Sequence, residues 1–353
     1  MKLDKYIQTK LDAVRRYMRQ QKLDGILVTN YVDQLYLTDF FFYEGETVFL
    51  IHAKGLEAVT RSLYVKPFGK YAPYAHVIGE DENRIAAAVK CAKKLGLKRV
   101  GFDAAKESYY AGSFLHKSGF IEVPSIISKL RETKNAQELK HMRASNRLAY
   151  LTYEYIKPRI KTGMREYEVA AEMERFMRVN GAKCTSFFTI VAFGENTANP
   201  HHETGDRKLQ ANDAVLLDFG CVYDDYCSDM TRSWWHGNNE PAEYKKILKI
   251  VKRAHDTGIK TAKIGVKCKD VDAATRGIIA KAGYGEFFTH RTGHGVGLEV
   301  HEEPCNDATS THTLQEGNVT SIEPGIYLPG KYGVRWEDLI VVTRTGAKIL
   351  TKK

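Results

Sequence analysis

Apolar and polar positions follow two different periods in the first third of the chain. Residues 4–22 repeat apolar side chains at helical spacing, and residues 82–95 do the same, so both predict amphipathic helices. Short apolar runs between turn residues predict strands at 25–29, 48–52 and 99–103. Helices that alternate with strands in this way are typical of an α/β domain, which we assign to residues 1–127.

The remaining residues, 128–353, group their predicted elements differently. A polar segment that starts at Ser128 predicts one long helix to about residue 157, and a second helix follows over 166–180. A further helix pair is predicted at 241–264 and 269–282. Strands are predicted at 187–193, 214–219, 226–235, 319–323 and 335–342. Groups of strands mixed with helix pairs indicate an α+β domain.

Composition and charge narrow the class of protein. A chain of 353 residues is longer than one hydrophobic core readily supports, so two domains are expected. No apolar stretch is long enough to cross a bilayer, and the N-terminal residues lack the apolar core of a signal peptide, so we expect a cytoplasmic location. The net charge of +10 is spread over both parts of the chain. It therefore predicts a solvated surface rather than a nucleic-acid site.

Five potential metal ligands lie in the second part of the chain, each within a short and unusual run of residues. They are Asp218 in Leu-Leu-Asp-Phe-Gly, Asp229 in Cys-Ser-Asp-Met-Thr, His294 in Thr-Gly-His-Gly-Val-Gly, Glu323 in Ile-Glu-Pro-Gly, and Glu337 in Val-Arg-Trp-Glu-Asp. Carboxylates inside apolar strands cost free energy unless a positive charge compensates them. Carboxylate-rich sites suit Mn²⁺, Zn²⁺ or Co²⁺, and a pair of such ions makes a hydrolytic centre.

Each of these runs has a plainer interpretation when it is taken alone. Asp218 and Asp229 could be surface residues that flank a turn, although a hairpin would bring both carboxylates together on adjacent strands. A single histidine such as His294 is usually structural, and glycines around it also resemble part of a dinucleotide-binding motif. No strand-glycine-helix unit surrounds that run, so a dinucleotide site is rejected. The metal hypothesis therefore depends on the whole set.

The ordered set of motifs resembles metallopeptidase family M24. The motifs are Asp-x10-Asp, Gly-His-Gly, Glu-Pro-Gly-Ile-Tyr and Val-Arg-x-Glu-Asp. The Xaa-Pro branch is the most similar, through Asn-Pro-His-His at 199–202 and Val-His-Glu-Glu-Pro at 300–304. The resemblance implies a creatinase-like N-terminal domain over residues 1–127 and a "pita-bread" catalytic domain over residues 128–353.

The same resemblance implies roles for individual residues. Asp229 and Glu337 would bridge two divalent ions, with Asp218 on one ion and His294 and Glu323 on the other. Mn²⁺ is the first expectation, and Co²⁺ or Zn²⁺ remain alternatives. Glu323 would also carry the proton from water to the leaving nitrogen. The other implied catalytic residues are His301, which would stabilise the tetrahedral intermediate, His201, which would hold substrate, and Arg335, which would orient the carboxylates or contact substrate.

The resemblance implies hydrolysis of the peptide bond before proline in di- or oligopeptides, by a homodimer. We expect an Xaa-Pro dipeptidase, with an aminopeptidase on longer Xaa-Pro peptides as the near alternative. A non-catalytic RNA- or protein-binding member of the fold and a metal-free creatinase-like hydrolase are remote alternatives, which the complete ligand set opposes. Two departures stand out. Cys305-Asn306 occupies the place where some prolidases have an arginine that binds the dipeptide carboxylate, and Trp336 replaces a smaller aliphatic residue.

Overall fold

The structure, a computed structural model, describes residues 5–351, so the sequence predictions that concern residues 1–4 lie outside the described residues. The chain divides into two compact units, Met1–Arg131 and Glu132–Lys353. The division falls four residues after the boundary predicted near residue 127. A short helix, Ile126–Arg131, accounts for the difference, because the guanidinium of Arg131 pairs with the buried carboxylate of Asp33 at 2.8 Å within the first unit.

The first unit is the predicted α/β domain. Its strands form one sheet in the order β4-β3-β2-β1-β5-β6, in which β1 is antiparallel to β2 and parallel to β5. The apolar face of α1 is buried through Ile7, Leu11, Val14 and Met18, as the helical spacing predicts. The elements are α1 Lys5–Gln20, β1 Gly25–Val28, α2 Tyr31–Thr38, β2 Thr47–His52, β3 Gly55–Thr60, α3 Ser62–Tyr71, β4 His76–Gly79, α4 Arg84–Lys94, β5 Val100–Asp103, α5 Tyr109–Lys117, β6 Ile121–Val123 and α6 Ile126–Arg131.

The second unit is the predicted α+β domain. Its principal sheets have the orders β12-β9-β8 and β14-β13-β15-β18-β19, and β16 pairs with β17. The elements are α7 Ala136–Ile156, α8 Glu166–Val179, β7 Cys184–Thr185, β8 Ile190–Phe193, β9 Asp213–Phe219, β10 Cys221–Tyr223, β11 Tyr226–Cys227, β12 Met230–His236, α9 Ala242–Thr261, α10 Cys268–Lys281, β13 Gly293–Gly295, β14 Glu302–Asn306, β15 Val319–Ile322, β16 Gly325–Leu328, β17 Tyr332–Arg335, β18 Asp338–Thr343 and β19 Gly346–Ile349.

Two helix pairs cover the strands of the second unit. Apolar residues of α7 and α8, such as Leu148 and Met173, pack against Val191, Val215 and Leu217 of the sheet β12-β9-β8. The pair α9 and α10 packs in the same manner against β15 to β18. None of the helices in residues 5–351 combines the length and apolar character of a membrane span.

The predicted helix from Ser128 to about residue 157 is wrong as a single element. Two helices, α6 and α7, replace it, because Thr133 leaves the helix to form a β-bridge with Asn318. Asn135 then starts α7 with a capping box, in which its side chain accepts from the N–H of Glu138 and the Glu138 carboxylate accepts from the N–H of Asn135.

Three predicted strands are also shorter or interrupted. The segment 187–193 is a strand only at Ile190–Phe193, the segment 226–235 breaks at Ser228-Asp229, and the segment 335–342 breaks at Trp336-Glu337. Two of these interruptions fall on candidate metal ligands. A carboxylate at a break can leave the strand register, and this is how Asp229 and Glu337 enter the site described below.

Candidate metal centre

Four of the five predicted ligands lie at or next to the end of a strand in the second unit, and His294 is the middle residue of the short strand β13. Asp218 is the second-last residue of β9, and Asp229 immediately precedes β12. The two strands are antiparallel, with Asp218 opposite Thr231 and Phe219 opposite Met230. The two aspartates are therefore offset along the sheet, and the short strands β10 and β11 separate them along the chain.

Backbone contacts that only glycine permits bring these segments together. A Cβ atom on Gly220 would lie 1.8 Å from the carbonyl oxygen of Ser228, and one on Gly293 would lie 1.9 Å from that of Ser321. The first contact holds the end of β9 against the residue before Asp229. The second holds the His294 strand against the strand that leads into Glu323.

Three of the predicted ligands converge closely. One ligand atom each of Asp229, His294 and Glu337 lies within 4.8 Å of the other two, and all three residues are buried. The Nε2 atom of His294 is 3.6 Å from Asp229 Oδ2 and 3.4 Å from Glu323 Oε1. The structure therefore brings three of the predicted carboxylate ligands close to the imidazole of the fourth, His294.

The hydrogen bond of His294 leaves its Nε2 atom free to coordinate a metal ion. Its Nδ1–H donates to the carbonyl oxygen of Gly295 at 3.1 Å, so the Nε2 lone pair faces the carboxylates. Burial, followed by the charge of His301, lowers the pKa of His294 to about 3. A neutral imidazole of this kind is the form that coordinates a metal ion.

Asp218 lies at the side of the centre that faces Arg335. Its Oδ2 atom accepts a hydrogen bond from Arg335 Nη2, whereas its Oδ1 atom is buried with no hydrogen-bond partner among the described residues. Its negative charge raises the pKa of Asp229, Glu323 and Glu337, in each case after burial as the larger cause. Asp218 therefore shares the electrostatic environment of the other four residues.

The donor set fits divalent metal ions. The Oε1 atom of Glu337, like Oδ1 of Asp218, is buried without a partner in the part of the chain described. Burial and mutual repulsion raise the pKa of Asp229 and Glu337 well above the ordinary range, and burial raises that of Glu323 to about 8. Oxygen atoms that repel one another and lack hydrogen-bond donors suit divalent cations.

Some of the predicted catalytic residues contact this cluster and others lie further away. The His301 ring lies 4.4 Å from the His294 ring, centroid to centroid. Arg335 is buried and donates to Tyr327 Oη at 2.8 Å, to Thr231 Oγ1 at 3.1 Å and to the carbonyl oxygen of Pro200 at 3.2 Å. The last bond ties Arg335 to the turn that carries His201, which is exposed. We find no direct contact between His201 and a predicted ligand in the described residues.

Comparison with known proteins decides the family. A sequence model of metallopeptidase family M24 matches residues 140–344, and one of the creatinase/prolidase N-terminal domain matches residues 10–133. The chain belongs to metallopeptidase family M24. Together the two matched regions contain most of both structural units, so the α/β domain is creatinase-like and the α+β domain is the pita-bread domain of that family.

Relatives of M24 match over nearly the whole chain. An uncharacterized peptidase, YqhT, of Bacillus subtilis is 34% identical over 97% of both chains. The solved structure of an Xaa-Pro dipeptidase from Bacillus anthracis has a TM-score of 0.93 and 35% identity, and covers 98% of both chains. An X-Pro aminopeptidase from Thermotoga maritima has a TM-score of 0.86 and 30% identity, and covers 96% of this chain and 98% of its own.

Sequence reasoning missed His290, Thr231 and Ser321 around the candidate centre. Tyr327 Oη donates to His290 Nε2 at 2.7 Å, and the His290 Nδ1–H donates to the Arg291 carbonyl oxygen at 2.8 Å. Thr231 donates to Glu337, and Ser321 donates to Glu323 at 3.2 Å. Thr231 and Ser321 each lie two residues from a ligand, a spacing that keeps side chains on one face of a strand. That spacing could have identified both, whereas no local pattern marks His290.

The second histidine of the Asn-Pro-His-His run has a structural role. The Nε2 atom of His202 lies 2.7 Å from Glu166 Oε2, and Glu166 is fully buried at the start of α8. Burial acts to raise the pKa of Glu166, but hydrogen bonds from His202, Asn196 and two backbone N–H groups outweigh it and hold the pKa low. His202 therefore stabilises the fold next to His201.

Proposed function

We propose that this protein is an Xaa-Pro dipeptidase that hydrolyses the peptide bond before proline at the centre formed by Asp218, Asp229, His294, Glu323 and Glu337. One observation carries the proposal: a convergent carboxylate–imidazole cluster, with buried oxygens that lack a hydrogen-bond partner in the described residues, lies in a chain similar, over 98% of both lengths, to an Xaa-Pro dipeptidase. Two divalent ions, when bound, would lower the pKa of water and provide hydroxide at neutral pH.

The residues of the chain have distinct tasks in this proposal. Glu323, partly buried beside His294, would accept the proton from the attacking water and pass it to the proline nitrogen as that nitrogen leaves. His301 would donate a hydrogen bond to the oxygen that becomes negative in the tetrahedral intermediate. Arg335 would hold Asp218 and the His201 turn in place, and His201 would hold the substrate. Proline has no backbone N–H, so the scissile amide offers none, and a centre of this kind does not need one.

The test is an assay of metal-stripped protein to which Mn²⁺, Co²⁺ or Zn²⁺ is returned separately. We expect alanyl-proline to be hydrolysed after metal is restored, and alanyl-alanine to be a poor substrate. The variant Glu337→Gln should remain inactive with every metal. Hydrolysis that is unaffected by stripping, or that proceeds equally in Glu337→Gln, would contradict the proposed centre.

An aminopeptidase that acts on longer Xaa-Pro peptides remains the second candidate. The similarity to the Thermotoga maritima X-Pro aminopeptidase favours it, as does the Cys305-Asn306 pair in place of an arginine. Alanyl-proline assayed beside alanyl-prolyl-alanine separates the two functions, because cleavage of the tripeptide alone would reject the dipeptidase. Binding of RNA without catalysis stays a remote alternative, and an electrophoretic shift assay tests it.

Three further expectations stay predictions. They are manganese as the metal, a homodimer, and a cytoplasmic location. Metal analysis of purified protein, its mass in solution and cell fractionation respectively test them.

A further inference from the structure

The substrate carboxylate poses an electrostatic problem at this centre. If the proposed function is correct, a dipeptide brings a free carboxylate to a centre in which the two proposed divalent ions would already be balanced by four carboxylates of the protein. Burying another negative charge there is unfavourable unless a cationic side chain accepts it. The chain must therefore provide a positive group that is near the centre and is not already paired.

Two of the arginines around the centre already form ion pairs with carboxylates. Arg335 is buried and bonds Asp218, Tyr327, Thr231 and the Pro200 carbonyl oxygen. Arg276 makes a two-point ion pair with Asp272 at 3.1 Å and also donates to the carbonyl oxygens of residues 288 and 290. Each guanidinium already has a carboxylate partner and uses four of its five N–H groups within the described residues, so its charge is largely compensated.

Arg291 is the exception. Its side chain is exposed, and its guanidinium Nη1 donates to Cys305 Sγ at 3.3 Å. Within residues 5–351, no acidic side chain forms an ion pair with it. A thiol is a weak acceptor, so this bond orients the guanidinium without neutralising its charge.

The backbone fixes Arg291 beside the reacting groups. The carbonyl oxygen of the next residue, Thr292, accepts from the N–H of Glu323 at 2.8 Å, and the N–H of Thr292 donates to Asn306 at 3.0 Å. The Arg291 guanidinium therefore lies at Cys305, where some prolidases have an arginine, and its main chain is one residue from the contact with Glu323.

We propose that Arg291 binds the terminal carboxylate of the dipeptide and thereby selects dipeptides over longer peptides. Cys305 would position the guanidinium through the hydrogen bond to Arg291. This assignment explains how a chain with Cys305-Asn306 in place of an arginine keeps a cation at the site. A planar guanidinium also matches the geometry of a carboxylate better than an ammonium does.

The experiment compares two substrates that differ only in this charge, alanyl-proline and alanyl-prolinamide, in metal-loaded protein. The variants are Arg291→Gln and Arg291→Lys, with Arg344→Gln as the matched control. Arg344 is an exposed arginine paired with Glu316, and its replacement removes the same charge. We expect Arg291→Gln to lower kcat/KM for alanyl-proline about 10- to 100-fold, mainly through KM, as loss of a charged hydrogen bond does. Its kcat/KM for alanyl-prolinamide should stay within about threefold of the parent.

The remaining outcomes separate this proposal from the proposed function. Equal loss on both substrates, or no loss on either, overturns the role of Arg291 while the dipeptidase stands. Arg291→Lys should recover part of the kcat/KM that Arg291→Gln loses on alanyl-proline, with no change on alanyl-prolinamide. Recovery on both substrates would instead indicate a structural role. If the parent protein cleaves neither substrate with any metal, the proposed function itself fails. Unchanged unfolding midpoints in all three variants exclude misfolding as the cause.

Discussion

Thr231 and Glu337 are joined by two hydrogen bonds that run in opposite directions. Thr231 Oγ1 donates to Glu337 Oε2 at 2.8 Å, and the N–H of Glu337 donates to the Thr231 carbonyl oxygen at 3.2 Å. Both residues are buried, and Oε1 of Glu337 is left without a partner in the described residues. The threonine therefore fixes one carboxylate oxygen and directs the other towards Asp229 and His294.

The first prediction concerns this hydroxyl. In Thr231→Val the carboxylate of Glu337 loses the only side-chain donor that it has among residues 5–351, and Arg335 loses a partner, so we expect metal affinity to fall about 10- to 100-fold. Thr231→Ser keeps the hydroxyl and should bind metal nearly as the parent does. Titration of stripped protein with Mn²⁺, followed by activity and by calorimetry, measures both. Equal affinity in the valine and serine variants would contradict the role of the hydroxyl.

The second prediction concerns the proton carried by Glu323. Glu323→Gln keeps an oxygen for a metal ion but has no group that can accept a proton, so kcat on alanyl-proline should fall about 10²- to 10⁴-fold. Metal content measured on the same samples separates this effect from loss of the ion. The control is Glu316→Gln, an exposed carboxylate paired with Arg344. Activity close to the parent in Glu323→Gln would assign proton transfer to another group.

The third prediction separates two adjacent histidines. His202→Ala removes one of the donors to the buried Glu166 carboxylate, so we expect it to lower the free energy of unfolding by about 1–3 kcal/mol. His201→Ala changes an exposed side chain, so it should lower kcat/KM and leave stability unchanged. Urea unfolding and kinetics of both variants test the pair. If the His201 variant unfolded at a lower urea concentration and the His202 variant lost activity without losing stability, the two roles would be exchanged.

The sequence marks the candidate ligands more distinctly than the elements that carry them. Motif order identifies Asp229 and Glu337 because their neighbours in the chain are distinctive. The spacing of apolar residues shows only continuous runs around them, so it predicts strands that the structure interrupts at those two residues. The interruptions depend on partners distant in the chain, such as Thr231 for Glu337. Local pattern contains no information on such partners.

The same reason explains what was missed near the site. His290 contributes through Tyr327, 37 residues further along the chain, and its environment becomes visible only when strands are assembled. The single helix predicted from Ser128 fails because Thr133 pairs with Asn318. In contrast, the amphipathic helix α1 needs only its own spacing of apolar residues, and it was predicted nearly to its ends.

The fourth prediction concerns the stability of metal-free protein. Burial raises the pKa of Asp229 and Glu337 well above the ordinary range and that of Glu323 to about 8. Unfolded carboxyl groups titrate near about pH 4, so the folded metal-free protein binds these protons more tightly than the unfolded chain does. Their contribution to stability is complete below about pH 4 and is lost as the pH rises through about 8.

Bound metal replaces these protons, so the difference in unfolding midpoint between loaded and stripped protein should increase from about pH 5.5 to about pH 8. Differential scanning calorimetry of both forms at each pH measures it, and taking the difference cancels groups elsewhere that titrate alike in both forms. In Glu337→Gln one of the titrating carboxyls is absent, so the stripped variant should lose less stability over the same interval. A difference that stays constant with pH in the parent protein would mean that the cluster is already ionised without metal.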